Sequence, residues 1–406
     1  MFSGNDRRGD KWATIQIAIA NRVCTNYVAK FTGDRADHEA SLKPNITLFL
    51  KNDAPDLPED LNTTLLLKGD KPELCKASTE ASFLHMELFV ELKQNTQSDP
   101  FRDLPEGEMQ ERCSINDNNT RGQCLLYAAN QLAYQHRLFA FSLVICGKRA
   151  CFIRWDREGA IVSAGIDCSR RPDLVIEFLR RFNQLTPEQR GLDLTAVPAT
   201  PEQIEMFESA VAEVSIESLR LSVGDRNIYP RYRLEVRDSD NIVSHYIVGK
   251  ALDYNLGIVG RCTRGHLALD LSTKECVFLK DVWRPDVSGI EPEHVWYEKL
   301  FKAEVPYLVK SKHASDVVPS TPPRTYYGTE TLEPRETTGL QGAQRGLTHH
   351  LACLFGSQLQ GHVHYRLVQA ELCRPLSDFS NSKHLVLVIL HSLKGRYSPI
   401  IPGLLR

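Results

Sequence analysis

A chain of 406 residues, 42% of them hydrophobic and 25% charged, is long enough to bury more than one core and is expected to form about two or three domains. Its formal net charge of -2 gives no general attraction to nucleic acid or to anionic lipid, so neither nucleic acid nor a membrane is an expected partner. Eleven cysteines are scattered from Cys24 to Cys373 without a CxxC pair, which excludes a disulfide scaffold or zinc module and points to free thiols in an intracellular compartment, cytoplasm or nucleus. No leader-like apolar core is read near the N-terminus, and the most apolar runs, 138–147 and 384–393, fall short of the ~20 residues that a membrane span requires.

Apolar residues at helical spacing over 12–28 predict a helix, and 45–50 predicts a short strand. A turn-rich excursion over 52–70 separates these from HMELFVELK, 85–93, which alternates into a strand ending in Glu91-Leu92-Lys93. Residues 101–120 are polar enough to read as a flexible loop. Leu125, Ala129 and Leu132 then lie on one side of a helix predicted over 122–137, and strands follow over 138–146, 149–155 and 160–164. This order implies an α/β module over 1–215, with a core at about 40–165 and a helical extension over 170–215. Arg154 and Asp156, flanking Trp155, finish a strand and cap a turn, and His136 reads as a helix-end histidine.

An E-x-K at a strand end has a chemical use. Glu91 can help hold a divalent metal while Lys93, two residues on and pointing to the same side, polarises a water or stabilises charge on phosphate. The arrangement resembles the PD-(D/E)xK nuclease fold, in which an earlier aspartate completes the metal site and a following helix often carries a glutamine. In this chain Lys43-Pro44-Asn45 stands at the earlier motif and Gln123 at the helix glutamine. Asparagine brings oxygen without charge and is a poorer ligand for a hard cation. The expectation is nuclease-like architecture without DNA cleavage, and a solvated strand face is the plainer reading of Glu91 and Lys93.

Residues 172–182 predict a helix closed by Arg180 and Arg181. Thr186-Pro187-Glu188-Gln189 and Thr200-Pro201-Glu202-Gln203 both carry a helix-start signature, and the second opens a helix to about residue 215. Pattern is lost over 216–228, where a domain boundary is expected, and 232–236 is strand-like.

The segment 244–298 then reads strand, glycine turn, strand, short turn, strand ending in lysine, helix. Gly260 and Gly265 bracket the turn, His266 to Leu269 alternates outward, and 276–280 returns after a hairpin at 272–274. A glycine-bearing hairpin lets backbone approach an anion, and a lysine on the adjacent strand supplies a point charge for phosphate. Taken alone, GRCTRG lacks the GxGxxG spacing and would also suit an ordinary surface hairpin.

The whole block resembles the protein kinase N-lobe, and together with 121–163 and 178–195 it is similar to the fungal-type protein kinase family. The resemblance implies ATP and magnesium as cofactors, with Lys280 of VFLKD on the nucleotide phosphates and Gly260 and Gly265 as phosphate-loop glycines. Glu298, in a helix over 293–301, matches the glutamate that orients such a lysine, and Glu293 is the other candidate. Residues 364–370 read as another strand, and the resemblance implies a hinge where Gln369 to Leu372 would meet the adenine edge, with a second lobe opening over 381–406. Residues 305–309 are expected to enter a strand, and 311–350, rich in proline, glycine and threonine, to be a flexible insert.

The expected fold class is therefore α+β: an α/β nuclease-like module followed by an incomplete kinase-like N-lobe over 229–380. No HRD-like catalytic loop or DFG-like segment occurs in these 406 residues, and Pro399 and Pro402 break the closing helix. The resemblance predicts a nominal serine/threonine kinase that is a pseudokinase as it stands, with exposed N-lobe surface that calls for a protein partner. A non-catalytic interaction or regulatory protein, and a metal-dependent nuclease, are the alternative functions.

Overall fold

The structure, a computed structural model, describes residues 7–51, 80–103, 109–238, 242–317 and 361–397. They form a mixed α/β fold in two compact units, the first built from 1–192 with Leu256–Val259, the second from Asp193–Asn255, Gly260–Arg324 and Gln360–Arg406.

In the first unit, α1 (Arg7–Val23) precedes β1 (Tyr27–Phe31), β2 (Ile46–Leu50) and β3 (Met86–Lys93). After the short hairpin β4 (Phe101–Asp103) and β5 (Met109–Glu111) come α2 (Ile115–Tyr134), β6 (Phe139–Cys146), β7 (Arg149–Asp156), β8 (Gly159–Val162), β9 (Ile166–Asp167) and α3 (Pro172–Gln184). The sheet runs β1-β2-β3-β6-β7-β8, with β9 beside β7. Its β3 and β6 are parallel, as a crossover through α2 requires. Alternation in β3 sends Leu88 and Val90 to a core shared with Ala20, Val175, Leu179 and Phe182, and Phe89 to the opposite core with Phe49, Leu132 and Trp155. Burial of both faces explains why β3 reads as an almost unbroken apolar run.

Of the polar stretch expected to be a flexible loop, residues 101–103 and 109–111 pair as a hairpin and 115–120 open a helix, contrary to expectation. Ser114 caps α2 by accepting from the Asp117 N–H, while Asp117 accepts from the Ser114 N–H, so the helix starts seven residues before the predicted 122. Arg154 and Asp156 bond each other, and Asp156 accepts the Glu158 N–H at the turn. Thr186 and Gln189 exchange the bonds of a helix start, yet the chain there makes only a turn. The excursion expected at 52–70 lies outside the described residues.

In the second unit, β10 (Ala196–Pro198), α4 (Pro201–Ala212) and α5 (Glu217–Ser222) lead into β11 (Tyr232–Arg237), β12 (Val243–Val248), β13 (Asp253–Tyr254), β14 (Arg264–Asp270) and β15 (Cys276–Pro285). There follow α6 (Glu293–Lys302), β16 (Ser311–Asp316), β17 (His362–Gln369) and α7 (Ser382–Tyr397). The sheet order is β10-β11-β12-β14-β15-β17-β16, with β13 beside β14. The boundary expected at 216–228 falls inside this unit. Leu219 and Val223 join Phe207 and Val211 of α4 against Ile247, Leu267 and Leu269, so the change of unit comes at 192/193 instead. A helix of six residues is too short to show a period.

Residues 305–309 form no strand, and the first six residues of the expected insert are β16, paired with β17. SKHASD has no apolar alternation because all six positions are only half-buried. Residues 318–350, the remainder of that insert, lie outside the described residues.

Successive residues of β15 point to opposite faces, which separates Lys280 from Asp281. Asp281, buried, accepts from Arg264 Nη2 at 2.8 Å and is bonded to His364 Nε2. Arg366, with no exposed surface, donates to Asp193 Oδ2 at 2.5 Å and to Thr195 Oγ1 and the Glu235 carbonyl, each at 2.8 Å. Burial opposes the charge of Asp281, but the charges of His364, Arg264 and Arg366 hold its carboxyl well below the usual range. Two carboxylates and two guanidiniums thus fasten one face of the sheet and leave the other for Lys280.

Candidate functional site: Lys280 and the first turn of α6

Lys280 lies inside β15, which runs on to Pro285 instead of ending at the lysine as expected, between Gly265 of β14 and Leu367 of β17. Its Nζ donates to Glu293 Oε2 at 2.6 Å, and Arg261 Nη2 stands 3.8 Å from the same oxygen. Of the two expected glutamates the structure brings Glu293 to the lysine, whereas Glu298 is exposed. The two are five positions apart on one helix, so they cannot share a face.

Gly260 takes a positive φ of 106°, and a Cβ there would meet nothing within 4 Å. It is a turn glycine in open space. Gly265 is not. It sits inside β14 with its partner Lys280, and a Cβ there would come within 2.9 Å of the Phe278 ring. The expected bracket of two loop glycines is thereby corrected to one loop glycine and one strand glycine, the second serving side-chain packing. Arg261 follows Gly260, its carbonyl held by the Trp283 N–H at 2.8 Å and its side chain largely exposed. Cys262, in the same turn, is buried and has a φ of 39°.

Gln369 ends β17, and its Nε2 donates to Tyr297 Oη of α6 at 3.0 Å, so its side chain ties down the helix. Leu372 is partly buried against the cluster of Phe207, Val211 and Leu219. Arg261 and Tyr365 escaped the sequence reading. Arg261 was visible in GRCTRG but no spacing rule singles it out, and Tyr365 reads only as an apolar member of a strand. Lys280 and Arg261 converge on one carboxylate, which leaves cationic charge over for an anion.

In the first unit the structure gathers Glu91, Lys93 and Gln123. Lys93 Nζ lies 2.6 Å from Glu91 Oε1 and donates to Gln123 Oε1 at 2.6 Å. Burial raises the Glu91 carboxyl, against the pull of Lys93, and its Oε2 has no hydrogen-bond partner among the described residues. Asn45 spends its side-chain oxygen on the Leu92 N–H at 2.8 Å and so does not present it to a cation beside Glu91. Among the described residues no group of three or more His, Cys, Asp or Glu gathers as metal ligands.

A family model described as fungal protein kinase matches residues 87–398, which takes in most of both units. No curated protein and no solved structure matches the chain. No helix among the described residues is long and apolar enough to cross a membrane.

Proposed function

Because the chain belongs to the fungal protein kinase family, we propose that its second unit binds ATP with Lys280 and Arg261 on the phosphates and Glu293 holding both cations in place. The observation that carries this is the shared Glu293 Oε2, 2.6 Å from Lys280 Nζ and 3.8 Å from Arg261 Nη2. A bound triphosphate would share both cations with Glu293, which keeps them aimed at it, without either leaving its element. Gly260, with open space above it, gives the turn room to close over phosphate. The backbone from Gln369 to Leu372 remains the proposed adenine edge. Bound magnesium would neutralise phosphate charge, and the described residues supply no carboxylate cluster for it.

Phosphoryl transfer by these 406 residues alone is not expected, since they contain no HRD-like or DFG-like segment to orient an acceptor. Exposed Val386, Leu387, Ile389 and Leu390 of α7 support a protein partner for this unit. Isothermal titration of the full chain with magnesium and ATP tests the reading. Binding that disappears in Lys280→Met supports it; binding equally strong in Lys280→Met, or no heat at millimolar nucleotide, overturns it.

A second reading attaches to the first unit. Glu91 and Lys93 end β3, which is parallel to β6, and ligands of parallel sheets collect beyond such carboxyl ends. With Gln123 beside them they suit a phosphodiester, although the engaged oxygen of Asn45 argues against a metal-assisted cut. Magnesium-dependent nicking of supercoiled DNA that is lost in Glu91→Ala would establish this nuclease activity; its absence leaves the pair as a structural contact.

A further inference from the structure

The amides of a helix's first turn have no partner within the helix, and α6 begins after Pro292, which offers no side-chain oxygen to cap them. The partner comes from elsewhere. The His294 N–H donates to the phenol oxygen of Tyr365 on β17 at 3.2 Å, and His294 Nδ1 lies 3.0 Å from that same oxygen. A phenol accepts one hydrogen bond and donates another, so Tyr365 can accept from the amide N–H and donate its O–H to Nδ1. The two rings lie nearly parallel, 6.0 Å between centroids.

Tyr365 has almost no freedom to move. It is buried with Val282 and Leu367, and Tyr297 and Ala314 pack on that cluster. Four residues along β17, on the same face, Gln369 makes the second polar tie to α6 through Tyr297. His294 and Tyr297 are three apart and so share one side of the helix. Glu293, the residue that meets Lys280, immediately precedes the amide that Tyr365 holds.

We infer that Tyr365 is a positioning residue: its phenol, standing in for the missing cap of α6, sets the place of Glu293 and so the strength of the Lys280–Glu293 pair. Gln369 supports it from the next turn. The inference rests on the proposed nucleotide reading only for its consequence in ATP affinity, since the ion pair itself is a property of the free chain.

The test uses full-length Tyr365→Phe, which removes one oxygen and keeps the buried ring. Acylation of Lys280 by a water-soluble succinimidyl ester, followed by peptide mass spectrometry, reads the ion pair without nucleotide. Glu293→Gln sets the rate of an unpaired lysine. Tyr365→Phe is expected to raise Lys280 acylation severalfold toward that rate, to speed hydrogen exchange in the first turn of α6, and to weaken ATP binding about fivefold to tenfold. Gln369→Leu is expected to do the same more weakly. Wild-type acylation and exchange in Tyr365→Phe would overturn the inference, whatever ATP does. Accelerated acylation in Tyr365→Phe, with ATP binding indifferent to both Tyr365→Phe and Lys280→Met, would sustain the positioning role and sink the nucleotide reading alone.

Discussion

Arg366 reaches Asp193 across 173 positions of sequence and bonds it at 2.5 Å, with its own side chain wholly out of solvent. The same guanidinium lies 3.8 Å from Asp281, so one cation is shared by two buried carboxylates. Removing it by Arg366→Met leaves both acids short of a partner in a site closed to water. The expected loss is about 3 to 5 kcal/mol, read as a lowered urea midpoint. A midpoint within error of wild type would show that the cluster contributes nothing net.

The same region makes stability depend on pH. Burial depresses His266 to about 4, whereas the unfolded chain titrates it at about 6.5. Between those values the unfolded state takes a proton that the folded state refuses, so stability falls as pH drops from about 6.5 to about 4, by on the order of 3 kcal/mol. Asp281, whose folded carboxyl is depressed, acts in the same direction lower down: its contribution is present above about 3.9 and lost as pH falls toward the folded value. His266→Gln should flatten the upper part of a plot of unfolding free energy against pH. An unchanged slope there would remove His266 as its source.

Glu293→Gln and Glu298→Gln separate the two candidate glutamates. The first breaks the bond to Lys280 and should weaken ATP binding about tenfold, the usual effect of removing one charged partner of a hydrogen bond. The second alters an exposed residue and should leave affinity unchanged. Calorimetry on both variants decides, and the reverse order would return Glu298 to the site.

Gly265→Val places two methyl groups where one Cβ already comes within 2.9 Å of the Phe278 ring. Phe278 must leave its place, at an expected cost of about 1 to 3 kcal/mol. Phe278→Ala in the same chain should recover part of the loss, because the obstructing ring is gone. A double variant no better than Gly265→Val would place the strain elsewhere.

Glu91 works in the opposite sense to Asp281. Its carboxyl is raised by burial, so the folded state holds a proton longer than the unfolded chain, and stability is lost as pH rises from about 4.3 through the folded value. Glu91→Gln removes that loss and should raise stability at neutral pH, read as a higher urea midpoint. Lys93 keeps its bond to Gln123 in the variant. A destabilised variant would mean that the ion pair outweighs the burial of the carboxylate.

Local pattern made much of the second unit legible. The apolar run of β14, the capping Thr200 before α4 and the alternating residues leading to Lys280 all act within a few residues, where sterics and backbone bonding decide the conformation. Gln123 could be matched to Lys93 because both lie in strongly patterned elements. The strand β16 and the helix α5 could not be read, the one for want of alternation and the other for want of length.

The amino-acid sequence by itself determined the family, the lysine on a strand and the glycine turn before it, since each is a matter of residue order. Only the tertiary structure decided which glutamate meets Lys280, which glycine belongs to the turn, and which buried acid pairs with Arg366. Those outcomes depend on the docking of α6 by Tyr365 and on ladder register between strands, and both are settled by packing between segments that no local period connects.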